Sequence, residues 1–124
     1  MLTAQQAEIK LDVDEGHAPD LQVVSQLLER AGYRIEQWTQ QHSPGGTGWH
    51  VIIEVSPRPH TAMEVVALQA ICGSDPWREA VNVLRARAFP KAPKFMRDRW
   101  NVLYRPDKAR SRHLSLDRPA INNP

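Results

Sequence analysis

Two aspartates one residue apart, and a histidine behind a glycine-rich turn, are the residues of this chain best suited to chemistry. KLDVDE (residues 10–15) places Asp12 and Asp14 two positions apart. In a strand, alternate side chains share a face, so both carboxylates point one way while Leu11 and Val13 point the other. Paired carboxylates can hold Mg²⁺ or Mn²⁺, hard ions that keep waters and bind substrate phosphates. The plainer alternative is a polar strand face turned to solvent. SPGGTGWH (residues 43–50) supplies a possible second half of a site. Backbone N–H groups in a turn containing Ser43, Gly45, Gly46 and Gly48 can approach anionic oxygens closely. Together with His50 such a turn could grip a triphosphate whose charge the metal neutralises. That is the electrostatic arrangement of nucleotidyl transfer.

The elements that must position these groups follow from patterning. Residues 8–14 alternate Ile9, Leu11, Val13 against Lys10, Asp12, Asp14 and predict a first strand. Asp20 is a plausible N-cap for a helix carrying Leu21, Val24, Leu27 and Leu28 on one face, which Gly32 ends. Residues 33–39 predict a second strand, and residues 40–48 a loop. WHVIIEV (49–55) predicts a third strand, with Trp49, Val51, Ile53 and Val55 on one face and His50, Ile52 and Glu54 on the other. Thr61 and Glu64 form a capping box before an apolar helix that stops at Gly73. Asp75 and Pro76 start another helix, expected to turn Trp77, Val81 and Leu84 inward. Arg78, Asn82 and Arg85 then form a polar stripe, with Arg78 and Arg85 as candidate phosphate contacts. WNVLY (100–104) could be a fourth strand or a segment docking on the sheet.

The order β-α-β-β-α-α predicts an α+β fold with a ferredoxin-like, RNA-recognition-motif-like βαββα core and helices on one sheet face. The other face stays open, and Asp12, Asp14 and His50 share it. The core is expected over residues 1–89, and a basic extension, partly disordered, over residues 90–124.

Charge supports that division. Residues 1–84 hold 5 Lys/Arg and 11 Asp/Glu, a net −6, whereas residues 85–124 hold 11 and 3, a net +8. A basic C-terminal segment on an acidic body suggests a nucleic-acid partner. Apolar content is 41% and charged content 24%, as in ordinary globular domains. No apolar run approaches the roughly 18–20 residues that span a bilayer, and no signal peptide is evident, so an intracellular, cytoplasmic protein without a membrane partner is expected. The single Cys72 excludes an intrachain disulfide and a multi-cysteine zinc site, and it is expected to pack as a small apolar group. His17, His42, His60 and His113 have no partners at zinc-ligand spacing.

With these motifs in place, the sequence resembles the archaeo-eukaryotic primase superfamily, which includes the primase-polymerases of plasmids and phages. That family carries an acidic pair on its first strand, here Leu11-Asp12-Val13-Asp14, and a serine- and glycine-containing turn ending in G-x-H, here Ser43 to His50. The resemblance covers roughly residues 8–87. It implies that Asp12 and Asp14 bind Mg²⁺ or Mn²⁺ and that His50 contacts an incoming nucleoside triphosphate. It also implies single-stranded nucleic acid as a partner, and nucleotidyl transfer in replication of a mobile element. The family's third motif, an acid followed by arginines, corresponds to SDPWREAVNVLRAR, where the acid's position is Asn82. A protein partner could complete such a site. The alternative is a non-catalytic nucleic-acid-binding or protein-interaction module of a phage.

Overall fold

A computed structural model describes residues 1–14, 17–44 and 48–103. Gly45 and Gly46 of the turn, and residues 104–124 of the expected extension, lie outside the described residues. The fold is α+β: β1 (Ile9–Val13), α1 (Leu21–Arg30), β2 (Arg34–His42), β3 (Trp49–Ser56), α2 (Ala62–Ile71), α3 (Pro76–Ala88), a 3-10 turn (Phe89–Lys91) and α4 (Lys94–Asp98). The three strands form an antiparallel sheet in the order β1-β3-β2.

Local chemistry accounts for most boundaries. Asp20 caps α1 by accepting from the Gln22 N–H at 2.9 Å, and Gly32 follows the helix at φ +94°. Thr61 and Glu64 form the full capping box of α2, and Gly73 sits at φ +90° beyond its end. Asp75 caps α3 with Pro76 in its first turn.

One core holds these elements together. Ile9, Leu11, Val13, Val51, Ile53 and Val55 line one sheet face, and Val24 and Leu28 of α1 and Val65, Val66 and Leu68 of α2 pack on them. Burying one such aliphatic side chain is worth about 1.5–3 kcal/mol. Trp100 joins this core and its Nε1–H donates to the Gln6 carbonyl at 3.2 Å, so the core reaches well past residue 89.

Two expectations change and one open alternative is decided. First, β2 continues through Gln40, Gln41 and His42, which pair with Val51, His50 and Trp49, so the loop is shorter than predicted. The His42 and Trp49 rings lie 3.8 Å apart at 32°, a contact invisible to local turn propensity. Second, of the two alternatives for residues 100–104, the described part, Trp100–Leu103, takes the docked one and forms no strand. Third, α3 is inverted. Trp77 and Leu84 are 46% and 62% exposed, while Arg78, Glu79, Asn82 and Ala86 are buried.

The edge of β1 explains the inversion. Strand β1 has β3 on one side only, and an edge strand offers unpaired N–H and C=O groups to its other side. Here side chains and one backbone N–H take them. The Lys10 N–H donates to Gln69 Oε1 at 2.8 Å, and the Asp12 N–H to Ser74 Oγ at 3.0 Å. The Lys10 carbonyl accepts from Arg78 Nη1 at 3.0 Å, and the Glu8 carbonyl from Asn101 Nδ2 at 3.1 Å. The Asp12 carbonyl accepts from the Asp75 N–H at 2.7 Å. These side chains are in turn knitted together. Glu79 accepts from Gln69 Nε2 at 2.7 Å and from Arg78 Nη1, and Asn101 Oδ1 accepts from Arg78 Nη2 at 2.8 Å.

Candidate functional site

Asp12 and His50 are brought together by register. They stand directly opposite in the β1–β3 ladder, on the face away from the aliphatic core. Because the Asp12 N–H and C=O both point outward to Ser74 and Asp75, this is the non-hydrogen-bonded kind of antiparallel pair. Side chains in such pairs stand closest to one another. His50 Nε2 lies 3.7 Å from Asp12 Oδ1. Across the sheet Gln41 continues the row, opposite His50. His50 is only 5% exposed, Asp12 is partly buried, and Asp14 is exposed just past the end of β1.

The turn reaches the same end of the strand through Gly48. A Cβ on Gly48 would lie 2.5 Å from the Val13 carbonyl oxygen and 3.3 Å from both Asp14 Cα and Ser43 Oγ. No side chain fits that gap, so the glycine of the G-x-H motif is required by the close approach of hairpin to β1. The Ser43 N–H donates to the Gly48 carbonyl at 3.0 Å, closing the hairpin base. Asp12, Asp14, Ser43, Gly48 and His50 therefore cluster at one end of the sheet.

The two candidate arginines, Arg78 and Arg85, both stand on α3. Arg78 is buried against the β1 edge, bonded to Glu79, Lys10 and Asn101. Burial pulls its guanidinium below the usual arginine range, while the carboxylates of Glu79 and Asp12 oppose that shift. Arg78 thus lies within electrostatic reach of Asp12, as a fixed neighbour with its donors committed. Arg85 is exposed, seven positions further along α3. Asn82 is fully buried; its Nδ2 donates to Glu79 Oε1 at 3.2 Å and its Oδ1 has no hydrogen-bond partner. The Asp75 carboxylate caps α3 through the Arg78 N–H at 3.1 Å.

Sequence reasoning missed the buried polar set of Gln69, Ser74, Glu79 and Asn101. A signal existed: Gln69 interrupts an otherwise apolar helix, and Arg78, Glu79 and Asn82 share a helical face. Among the described residues no cluster of three or more His, Cys, Asp or Glu side chains could hold a metal ion. Nor, among them, is any helix long and apolar enough to cross a membrane. No family model, no curated protein and no solved structure matches the chain.

Proposed function

We propose that the chain is a reduced, ferredoxin-like nucleotide-binding domain of the primase-polymerase kind. Asp12 and Asp14 hold a single Mg²⁺ or Mn²⁺ together with the phosphates of a nucleoside triphosphate, and His50 and the Ser43–Gly48 turn contact that triphosphate. The observation that carries this reading is the cross-strand Asp12–His50 pair, 3.7 Å apart at the end of the sheet where Gly48 meets β1.

The donor set fits one such ion. Mg²⁺ takes one or two carboxylates and fills its shell with water and substrate phosphate. Two-metal transfer asks for more protein carboxylates than the two available here, because Asn82 is neutral and lies in the β1-edge network. Binding, with phosphate completing the ion's shell, is the chemistry these residues support. A bound ion would neutralise phosphate charge; Asp12 would be held in place by the backbone bonds to Ser74 and Asp75.

Isothermal titration with ATP tests the reading, with and without Mn²⁺. Wild type is expected to bind in a Mn²⁺-dependent way. Asp12→Asn, Asp14→Asn and His50→Gln are expected to lose at least about tenfold, a loss of about 1.4 kcal/mol. Equal binding by wild type and all three folded variants removes the site. A second reading, a non-catalytic nucleic-acid-binding module, is favoured by the +8 charge of residues 85–124. It expects oligonucleotide binding that survives Asp12→Asn.

A further inference from the structure

Far along α3 from the Asp12–His50 pair, the chain builds a second candidate site. The end of α3, the 3-10 turn and α4 enclose a cleft of about 450 Å³. That volume lies within the range of small-ligand pockets. Phe89 and Trp100 lie beside it in an edge-to-face contact, ring centres 6.3 Å apart. Phe95 stands beside it 68% exposed. Arg85, Arg97 and Arg99 also line it, and among the described lining residues there is no Asp or Glu. The nearest acid in sequence, Asp98, accepts from Lys94 Nζ at 2.7 Å and from Gln6 Nε2 at 2.8 Å. Arg97 Nε is buried and has no acceptor.

We infer that this cleft binds a nucleotide unit of single-stranded nucleic acid, with a base against Phe95 and the flanking phosphates on Arg85, Arg97 and Arg99. An exposed aromatic ring beside three arginines, only Arg97 having an acid, Asp98, in electrostatic reach, matches how single strands are held: bases stack on aromatic faces and phosphates meet cations. An apolar floor alone would suit a protein partner equally. Three arginines without an acid among them select a polyanion. The inference rests on the proposed nucleic-acid partnership and is independent of the Asp12–His50 pair.

Fluorescence anisotropy of a labelled 15-mer oligothymidylate on the full chain tests it. Phe95→Ala is expected to weaken binding about fivefold or more, the scale of one lost stacking contact. Arg99→Gln is expected to lower the slope of log K against log salt by about 0.7, one phosphate contact on a single strand. Both side chains are exposed, so matching circular-dichroism melts will show that the fold is kept. Arg30→Gln, at an exposed arginine of α1 outside the cleft, is expected to bind the oligonucleotide as wild type does. If wild type binds but Phe95→Ala and Arg99→Gln bind equally well, the cleft assignment is wrong while the partnership stands. If wild type binds no oligonucleotide, both are wrong. Competition by polyglutamate at equal charge concentration, as effective as unlabelled oligonucleotide, also overturns the assignment in favour of an acidic protein partner.

Discussion

Replacing Arg78 by methionine gives the sharpest test of how this fold is held. The guanidinium is buried and bonds the Lys10 carbonyl at 3.0 Å, Asn101 Oδ1 at 2.8 Å and the Glu79 carboxylate. Methionine keeps much of the volume and removes every donor. Glu79, itself buried, then keeps Gln69 and Asn82 but loses its counter-charge. Removing one partner of a buried ion pair costs about 3–5 kcal/mol, and an orphaned backbone carbonyl about 1–3 kcal/mol. The two overlap, so about 4 kcal/mol is expected in total. Against a typical domain stability of about 5–15 kcal/mol, that is a large fraction. The corresponding fall in Tm is about 15 °C or more for a domain of this size. Arg85→Met, at an exposed position on the same helix, should change stability by no more than about 0.5 kcal/mol. Urea unfolding followed by circular dichroism measures both. Adding Glu79→Leu to Arg78→Met removes the stranded carboxylate and should recover about 1 kcal/mol or more. An Arg78→Met variant within about 1 kcal/mol of wild type would refute the reasoning, as would equal losses at Arg78 and Arg85.

Other consequences follow from single residues. Gly48→Ala forces a methyl to within 2.5 Å of the Val13 carbonyl, so a loss of about 1–3 kcal/mol is expected in the same urea assay, with nucleotide affinity falling alongside. Asn82→Asp sets a second carboxylate beside Glu79 in a buried space. It should destabilise by about 2–4 kcal/mol at pH 7, less as pH falls and the new group takes a proton; unfolding at pH 5 and 7 separates this from a simple packing loss. Burial pushes the Cys72 thiol up to about 11, so at pH 8 only about one thiol in a thousand is ionised. Ellman's reagent should therefore react slowly with the native chain and fast in urea; equal rates would contradict the burial. Trp77→Ser and Leu84→Gln, at exposed positions, should each shift stability by no more than about 0.5 kcal/mol in thermal melts.

The parts legible in the sequence are those decided within a few residues or by a period of two. Asp20, the Thr61–Glu64 box and the Asp75-Pro76 pair mark helix starts because caps are local. Alternation in residues 9–13 and 49–55 identified which side chains face the core, and hence that Asp12 and His50 share the other face. What alternation leaves open is register, and register is what set Asp12 opposite His50 rather than one step away. The orientation of α3 was illegible for a related reason. Its apolar stripe of Trp77, Val81 and Leu84 has helical spacing, and such a stripe normally faces a core. Which stripe faces in was decided instead by partners such as Lys10, 68 positions before Arg78. The Gln40–His42 extension of β2 likewise depends on its cross-strand partners in β3.

The sheet's size and the inverted helix are one fact seen twice. A fourth strand along β1 would pair its edge with main chain and leave α3 free to bury Trp77 and Leu84. Here that edge is taken by the docked Trp100–Asn101 segment and by side chains, so α3 turns its polar face inward. The arrangement also decides which charges can serve a ligand. Arg78 sits near Asp12, yet its donors are spent on Lys10, Glu79 and Asn101, so it can bias the site's field but not grip a phosphate. Asp12 gains from the same network. Its N–H and C=O are clamped by Ser74 and Asp75 on one side while β3 pairs the strand on the other. A strand held from both edges has its backbone set before any ligand arrives, which would lower the ordering cost of the ion proposed for Asp12. The network that commits the donors of Arg78 is therefore the same one that fixes the backbone of Asp12.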